Sequence, residues 1–515
     1  MASRIGALIP AVLAGGLVLF VLVPLLMVAG RATSFALGPA DWAALRFTVL
    51  QALASAVVSV ALAVPVARAL TRRSFAGRAA LITLMGAPFL LPTIVAVLGL
   101  VAVFGRSGVV NDALGLLGVG PVSIYGPHGV VLAHVFLNLP LAVRMVLQGW
   151  QAIPAERFRL AESLGLGPAG VFRHLEVPML RAVLPGAFVV IFVICLTSFA
   201  VALTLGGGPG ATTVELAIYQ AMRFDFDLGR AALLAGVQFG LCAVVAVLGW
   251  LLVRPAGFGA GLGRAPVVGQ VGGWRLAVDS LAIILAAAFL LVPLGAVILR
   301  GLPGLAEVPG AVWAAAGRSV AVALLSTVVT VAAALALALG VARAGRGAGL
   351  MDAAAALPLA TSGLVLGVGL FLMVQPFVPP ARLALPVTVA VNAALSLPFV
   401  YRLLLPEARV LRADYGRLSA SLGLTGVAWL RLVAVPRLAR PLGFGAGLAA
   451  ALSMGDLGVI ALFATEHGAT LPLVVQRLMG AYRMDAAAGA ALILVAISFA
   501  LFWALDSWGR RYASA

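Results

Sequence analysis

Residues 159–178 read RLAESLGLGPAGVFRHLEVP, and residues 417–436 read RLSASLGLTGVAWLRLVAVP. The two stretches lie 258 positions apart and agree where composition is least able to produce agreement. Arg159 matches Arg417, Gly165 matches Gly423, Arg173 matches Arg431 and Pro178 matches Pro436. The same shift lays Leu139-Pro140 on Leu397-Pro398 and Arg144 on Arg402. The chain therefore reads as a tandem duplication. Each stretch predicts a short helix-turn-helix, apolar on one face and basic on the other. Gly165 or Gly423 ends the first arm in the left-handed conformation, which costs glycine little. Gly167 or Thr425 caps the second arm, with Pro168 at the first helical position of the first copy. Pro178 and Pro436 are expected to close that arm.

Outward from these loops the chain is apolar. Of its 515 residues, 63% are hydrophobic and 10% charged, against about 45–50% and about 25% in soluble domains. A core could not hide so much apolar side chain, so lipid must cover the remainder. A membrane span needs about 20 mostly apolar residues. Twelve stretches qualify, at roughly 8–30, 47–70, 79–104, 127–150, 184–206, 230–253, 276–299, 315–342, 350–374, 385–405, 441–463 and 487–508. They are solidly apolar rather than alternating, which selects helices over a barrel.

The expected fold is an all-α integral membrane protein of about twelve transmembrane helices, arranged as two parallel six-helix repeats. Residues 1–253 form the first repeat, with a core over about 46–250 and its loop at 151–181. Residues 276–515 form the second, with a core over about 315–508 and its loop at 406–440. Between them, residues 254–275 carry seven glycines and read as a flexible linker. The apolar run after Arg4 is too long for the h-region of a signal peptide, and no small-x-small cleavage site follows it, so a retained first helix is expected.

The formal charge is +17, and every basic residue is arginine. The arginines sit in short clusters between apolar stretches rather than in one patch, which argues against a nucleic-acid partner. With the N-terminus in the cytoplasm, 24 of the 34 fall on the cytoplasmic side. Acidic residues divide almost evenly, so the asymmetry is the arginine asymmetry of the positive-inside rule, and both termini are expected in the cytoplasm. A P-loop needs a lysine to reach the β/γ-phosphates, and this chain has none. Any ATP hydrolysis must come from another subunit. Cys195 and Cys242 lie in apolar runs and read as core packing, with no disulfide framework or zinc site. His128, His134, His174 and His467 are too scattered for a metal site, and no nucleophile–base pair stands out. Neither catalytic residues nor a cofactor are expected.

Two further places draw attention. Asp456 falls near the middle of the eleventh stretch, in SMGDLG, and its counterpart in the first half is Ser198. A carboxylate at such a depth costs about 2.5–3.5 kcal/mol, so it should face a cavity or a partner. It either lines the translocation path and attracts a cation, or packs between helices against Ser453 or backbone. The turn Gly206-Gly207-Gly208-Pro209-Gly210, with Thr212, Thr213 and Glu215, is placed on the outer side. Its backbone either cradles a phosphate or simply joins a span to a surface helix.

The paired loops resemble the cytoplasmic loop of ABC importer permeases, whose pattern is Glu-Ala-Ala, three residues, Gly, nine residues, then Ile-x-Leu-Pro. Both copies keep the glycine and the proline, and Ala161 or Ser419 stands at the third position. Arg159 and Arg417 replace the family's glutamate, and Leu175-x-Val177-Pro178 and Val433-x-Val435-Pro436 are variants of the final triplet. The resemblance implies a type I importer fold in which each loop docks on an ATPase subunit. Ser198–Met222, Ser453–Gly489, ARALTRRSFAGRAAL (67–81) and LAHVFLNLPLAVRMVLQ (132–148) are similar to the thiamine and thiamine pyrophosphate permeases. That likeness runs over nearly the whole chain. It implies an inner-membrane importer subunit, two ATPase copies, a periplasmic binding protein, and thiamine or thiamine pyrophosphate as cargo. Ferric-iron permeases share the fused layout, so ferric iron, a polyamine or an oxyanion is the alternative cargo. A different class, the ion-coupled secondary transporter, would place several ionisable groups in its spans, where Asp456 is nearly alone.

Overall fold

The computed structural model describes residues 2–31, 36–86, 90–252, 273–344, 347–465 and 468–514. All but the last three positions of the linker 254–275 lie outside these residues, as does His467. Among the described residues every regular element is a helix. The first half runs α1 (Ala2–Arg31), α2 (Pro39–Arg72), α3 (Arg78–Leu84), α4 (Thr93–Phe104), α5 (Val109–Leu116) and α6 (Pro127–Gln151). It continues with α7 (Ala155–Ser163), α8 (Pro168–Val171), α9 (Val177–Leu196), α10 (Ala200–Leu205), α11 (Val214–Arg223) and α12 (Leu228–Leu252). The second half runs α13 (Trp274–Gly304), α14 (Gly310–Arg343), α15 (Ala348–Ala356), α16 (Gly363–Val374) and α17 (Ala384–Ser421). Then follow α18 (Gly426–Trp429), α19 (Val435–Met454), α20 (Gly458–Phe463), α21 (Leu471–Gly480) and α22 (Met484–Ser514).

Among the described residues, eleven helical runs are long and apolar enough to cross a membrane, and one bent pair brings the total to as many as twelve. Their side chains are sorted for lipid. On α2, Leu50, Leu53, Val57 and Leu62 are exposed, and on α14, Leu324, Leu325, Val328 and Val329. The faces turned inward are small and hydroxylated: Thr48, Ala52, Ser55, Ser59 and Ala63 on α2; Ser319, Ala323, Ser326, Thr330 and Ala334 on α14. Leucine gains nothing by leaving lipid for protein, whereas small residues let two backbones approach and hydroxyls bond across.

Four expected spans are not single helices. The stretch 79–104 divides into α3 and α4, and 350–374 into α15 and α16, the latter bent by 93°. Pro92 caps α4 and Pro358 opens the turn before α16; without an N–H, neither can continue the ladder from the preceding helix. The stretch 184–206 breaks between α9 and α10, and 441–463 between α19 and α20. Hydropathy does not register these breaks, because both pieces of each span are apolar. The halves also differ in length. Between α4 and α6 the first half inserts α5, where the second has only the short turn Pro380–Leu383 before α17.

The helices gather into two compact units that cut across the sequence halves: Gly38–Thr213 with Cys242–Leu299, and Met1–Leu37 with Val214–Leu241 and Arg300–Ala515. In the former, α13 packs on α4 at Gly99, where a Cβ would stand 2.7 Å from the Pro293 carbonyl oxygen. Phe289 of α13 meets Phe136 of α6 edge to face at 5.6 Å. Asp279 is held by Arg73 through two 2.8 Å contacts. In the latter unit α1 takes the corresponding place on α16, where a Cβ at Gly369 would lie 2.5 Å from Pro24.

Candidate functional site

The motif loops are built alike but entered differently. Pro154 stops α6 short of the first loop, since the residue before a proline is pushed out of the helical region, and α7 starts afresh as the first arm. Arg412 holds the matching place in the second loop, and α17 runs through it unbroken to Ser421. The helical first arm expected in each copy is thus a helix of its own in the first and the end of a long helix in the second.

Both turns then close in the same way. Gly165 has φ +64° and Gly423 φ +62°. The Leu166 N–H donates to the Ala161 carbonyl at 2.9 Å and the Gly165 N–H to the Glu162 carbonyl at 2.9 Å. In the second loop the Leu424 N–H donates to Ser419 at 2.9 Å and the Gly423 N–H to Ala420 at 3.2 Å. These are the two bonds of a Schellman motif. A Cβ on either glycine would meet nothing within 4 Å, so backbone conformation rather than crowding calls for glycine. Gly167 and Thr425 stand at the N-caps of α8 and α18, without side-chain capping bonds, and Pro168 lies in the first turn of α8.

Pro178 and Pro436 do not close the second arm. The helix continues through them, from Pro168 to Leu196 and from Gly426 to Met454. Just before each proline a π-helical segment intervenes, Phe172–Glu176 and Leu430–Ala434, with the Val177 N–H donating to Phe172 and the Val435 N–H to Leu430. Proline cannot donate to the carbonyl four residues back, and its ring crowds that carbonyl. One wider turn absorbs the misfit without breaking the rod.

Of the motif positions, Ala161 and Ser419 are buried, whereas Arg159, Gly165, Pro178, Arg417 and Gly423 are exposed and Pro436 is half-buried. Motif matching passed over the apolar partners of these residues. Leu160 and Leu164 are 59% and 66% exposed, and Leu418 and Leu422 53% and 64%. Each pair is spaced i, i+4 and so shares one helix face, an apolar pair at helical spacing that could have been read from sequence.

Different chemistry holds the two loops in place. In the second, Trp429 is buried in a cluster with Leu404, Ala408, Leu411, Ala434 and Leu438. Its Nε1 donates to Ser419 Oγ at 3.1 Å, the Arg343 guanidinium lies 4.3 Å from its ring, and Arg437 lies 4.8 Å from Tyr415. In the first, Glu176 is 2% exposed. Its carboxylate stands 2.8 Å from Arg68 Nε and 3.7 Å from Arg72 Nη2, while Arg68 also covers the Phe172 ring at 4.6 Å.

Asp456 does not sit mid-helix. It occupies the break after α19, and Ser198 occupies the matching break after α9. The amides of Gly458, Val459 and Ile460 lie against the Asp456 carboxylate, while its Oδ2 is enclosed without a hydrogen-bond partner. A polar knot precedes each break. Cys195 is buried, its Sγ accepting from Asn138 at 3.5 Å and its carbonyl from Gln51 at 3.0 Å. Ser453 bonds Ser326 at 2.9 Å and Asn392 at 3.0 Å.

In the glycine turn, Gly207 and Gly208 are exposed with φ +67° and +143°. The turn is closed internally, the Ala211 N–H donating to the Gly208 carbonyl at 3.1 Å and the Thr212 hydroxyl to the same oxygen at 3.3 Å. Thr213 is buried. Glu215 does not share the exposed turn. It is fully enclosed in the other compact unit, with Ser362 and Gln238 beside its carboxyl.

No family model matches the chain. The thiamine transport system permease protein ThiP of Brucella abortus is 38% identical over 476 residues, covering 90% of this chain and 87% of that protein. The protein of the same name from Salmonella typhimurium is 37% identical over 489 residues, 92% of this chain and 90% of its own length. That of Escherichia coli K12 is 37% identical over 487 residues, 91% and 89%. Identity at this level extends over about nine-tenths of the chain, and the chain belongs to the family of thiamine transport system permease proteins.

Proposed function

We propose that this chain is the permease subunit of an ATP-binding-cassette importer in the bacterial inner membrane. It carries thiamine or thiamine pyrophosphate delivered by a periplasmic binding protein, with both termini in the cytoplasm. Two copies of a separate ATPase engage the loops 151–181 and 406–440. The observation that carries this reading is the repetition of one loop geometry: left-handed glycine, Schellman turn, exposed leucine pair and π segment. A connecting loop free of a common partner has no reason to keep all four features twice.

The geometry also supports a route for the stroke. The exposed leucines supply an apolar patch, and Arg159 and Arg417 a charge, for the ATPase surface. Beyond each turn the second arm is one rod with the following membrane helix, as far as the break at Ser198 or Asp456. A push on the loop therefore moves that rod as a unit and is released at the break. Asp456 is the acidic member of the pair, and its charge supports the reading of a cationic cargo.

Uptake of labelled thiamine by cells with and without the gene tests the cargo. Loss of high-affinity thiamine uptake with iron uptake unchanged is expected; the reverse outcome moves the cargo to ferric iron. For assembly, the purified chain should hydrolyse no ATP by itself and should bind two ATPase copies. A single bound copy at saturation would sink the two-loop reading.

A further inference from the structure

We infer that Glu176 is a positioning residue for the first loop, tethering it to α2 through Arg68 and Arg72, and that this ionic tether sets how tightly the first loop couples ATP hydrolysis to transport. The inference rests on the coupling role proposed for the loops. It concerns how one of them is held, and it assigns a function to a buried charge that lies outside the motif pattern.

Glu176 closes the π segment, one residue before the Val177-Pro178 pair. It is thus placed at the junction between the arm that meets a partner and the rod that enters the membrane. Its carboxylate is almost fully buried. Both of its cationic partners come from the last two turns of α2. Arg68 holds the segment twice, by charge at Glu176 and by its guanidinium face over Phe172 four residues earlier. A buried carboxylate is costly unless paired, so the pair stands or falls together and has one favoured geometry. Arg73, next along the chain, is already committed to Asp279 of α13. The end of α2 thus joins the loop's base to a second membrane helix within the same unit.

The second loop shows what the alternative looks like. Ala434 stands at the position of Glu176, inside an apolar cluster, and the ring of Trp429 takes the guanidinium of Arg343 from the end of α14. There the junction is packed rather than paired. An apolar cluster tolerates small displacements without stranding a charge, whereas parting a buried ion pair by an ångström or two gives up roughly a quarter to two-fifths of its attraction and leaves each charge closer to the cost of burial without a partner. The first loop is accordingly the one whose position a single charge controls.

The test uses the complete complex of permease, ATPase and binding protein in proteoliposomes, with thiamine uptake and ATP hydrolysis measured on the same sample. Glu176→Gln keeps the shape and removes the charge. It is expected to lower uptake per ATP about fivefold to tenfold, the lower part of the usual range of coupling strengths, while hydrolysis stays within about twofold. Glu176→Asp keeps the charge and should restore at least half of the lost coupling. Should Glu176→Gln fold poorly for want of a partner to Arg72, Arg68→Leu with Glu176→Ala removes charge on both sides; uptake per ATP should remain at least fivefold down. Wild-type uptake per ATP in Glu176→Gln or in the double variant overturns the tether. So does an equal loss in Glu176→Asp and Glu176→Gln, which would mark the site as packing only. Gly165→Val, measured in parallel, keeps the two ideas apart. If it uncouples and Glu176→Gln does not, only the tether fails; if neither has any effect, the coupling role of the loop fails with it.

Discussion

The two motif loops reach one backbone geometry by two kinds of chemistry. The first is entered after a proline break, closed at Gly165 and fixed by Glu176 with Arg68 and Arg72. The second grows from an unbroken 38-residue helix, closes at Gly423 and is fixed by Trp429 in an apolar cluster. What both retain is the left-handed turn and the π segment that lets the arm run on into the membrane. What they exchange is the means of support. The constraint on these loops therefore falls on the angle between the arms and the continuity of the rod, and support is free to vary as long as it is buried and strong.

The comparison breaks most visibly if the shared turn is removed from both loops. A β-branched residue held at φ near +60° costs on the order of 1–3 kcal/mol, and here no neighbour offers compensation. Gly165→Val with Gly423→Val should therefore abolish thiamine uptake, by at least about a hundredfold, with either single change milder. The membrane helices keep their internal hydrogen bonds, so the protein should still be recovered in the membrane fraction. Normal uptake and normal ATPase assembly in the double variant would end the coupling reading.

Next in size is the support of the second loop. Truncating a buried Trp costs about 3–5 kcal/mol, and Trp429→Ala also frees Ser419 and uncovers Arg343. A loss of about 3 kcal/mol is expected in detergent-solubilised protein. Val171, its counterpart in the first loop, is half-buried, and Val171→Ala should cost less than about 1 kcal/mol. Equal losses at the two sites would show that the loops are supported alike after all.

These contrasts were only partly legible in the sequence. Gly165 and Gly423 could be read because a left-handed C-cap has a residue preference of its own. The span count could be read because hydropathy sums over twenty residues. Pro178 and Pro436 were misleading: the proline rule is local, and the π turn that defuses it leaves no mark on a 3.6-residue pattern. The breaks at Ser198 and Asp456 were hidden for the opposite reason, since a broken span and a whole one have the same composition. Glu176 was invisible because its partners lie a hundred positions away on α2. Glu215 lay five residues beyond an exposed-looking turn, and only the path of α11 shows that it is enclosed.

The breaks offer a smaller contrast. Asp456 receives the amides of Gly458, Val459 and Ile460, whereas Ser198 has a shorter reach over the same geometry. Asparagine caps a helix about as well as aspartate, while alanine costs about 1 kcal/mol. Asp456→Ala should therefore lower stability by about that amount, and Asp456→Asn should leave it unchanged. If Asp456→Asn nevertheless raises the concentration of thiamine needed for half-maximal uptake, its charge meets the cargo. Unchanged uptake would leave it a capping residue.

The smallest expected effect lies at the N-caps, where the loops differ in residue but not in role. Thr425 caps α18 with extended backbone, φ −132° and ψ 162°, and Gly167 caps α8 with φ −64° and ψ 174°. A threonine at this position normally contributes through its hydroxyl, which accepts a bond from the second or third amide of the helix. In this protein it makes no such bond. The first loop manages without any side chain at all, and in both loops the helix is anchored further along, at the π segment and its buried support. Thr425→Gly should accordingly change stability by only a few tenths of a kcal/mol and leave uptake per ATP at the wild-type value. A loss above about 1 kcal/mol in ATPase binding would mean that the hydroxyl gains a partner when the ATPase docks. The second loop would then carry a contact that its glycine-capped counterpart cannot make.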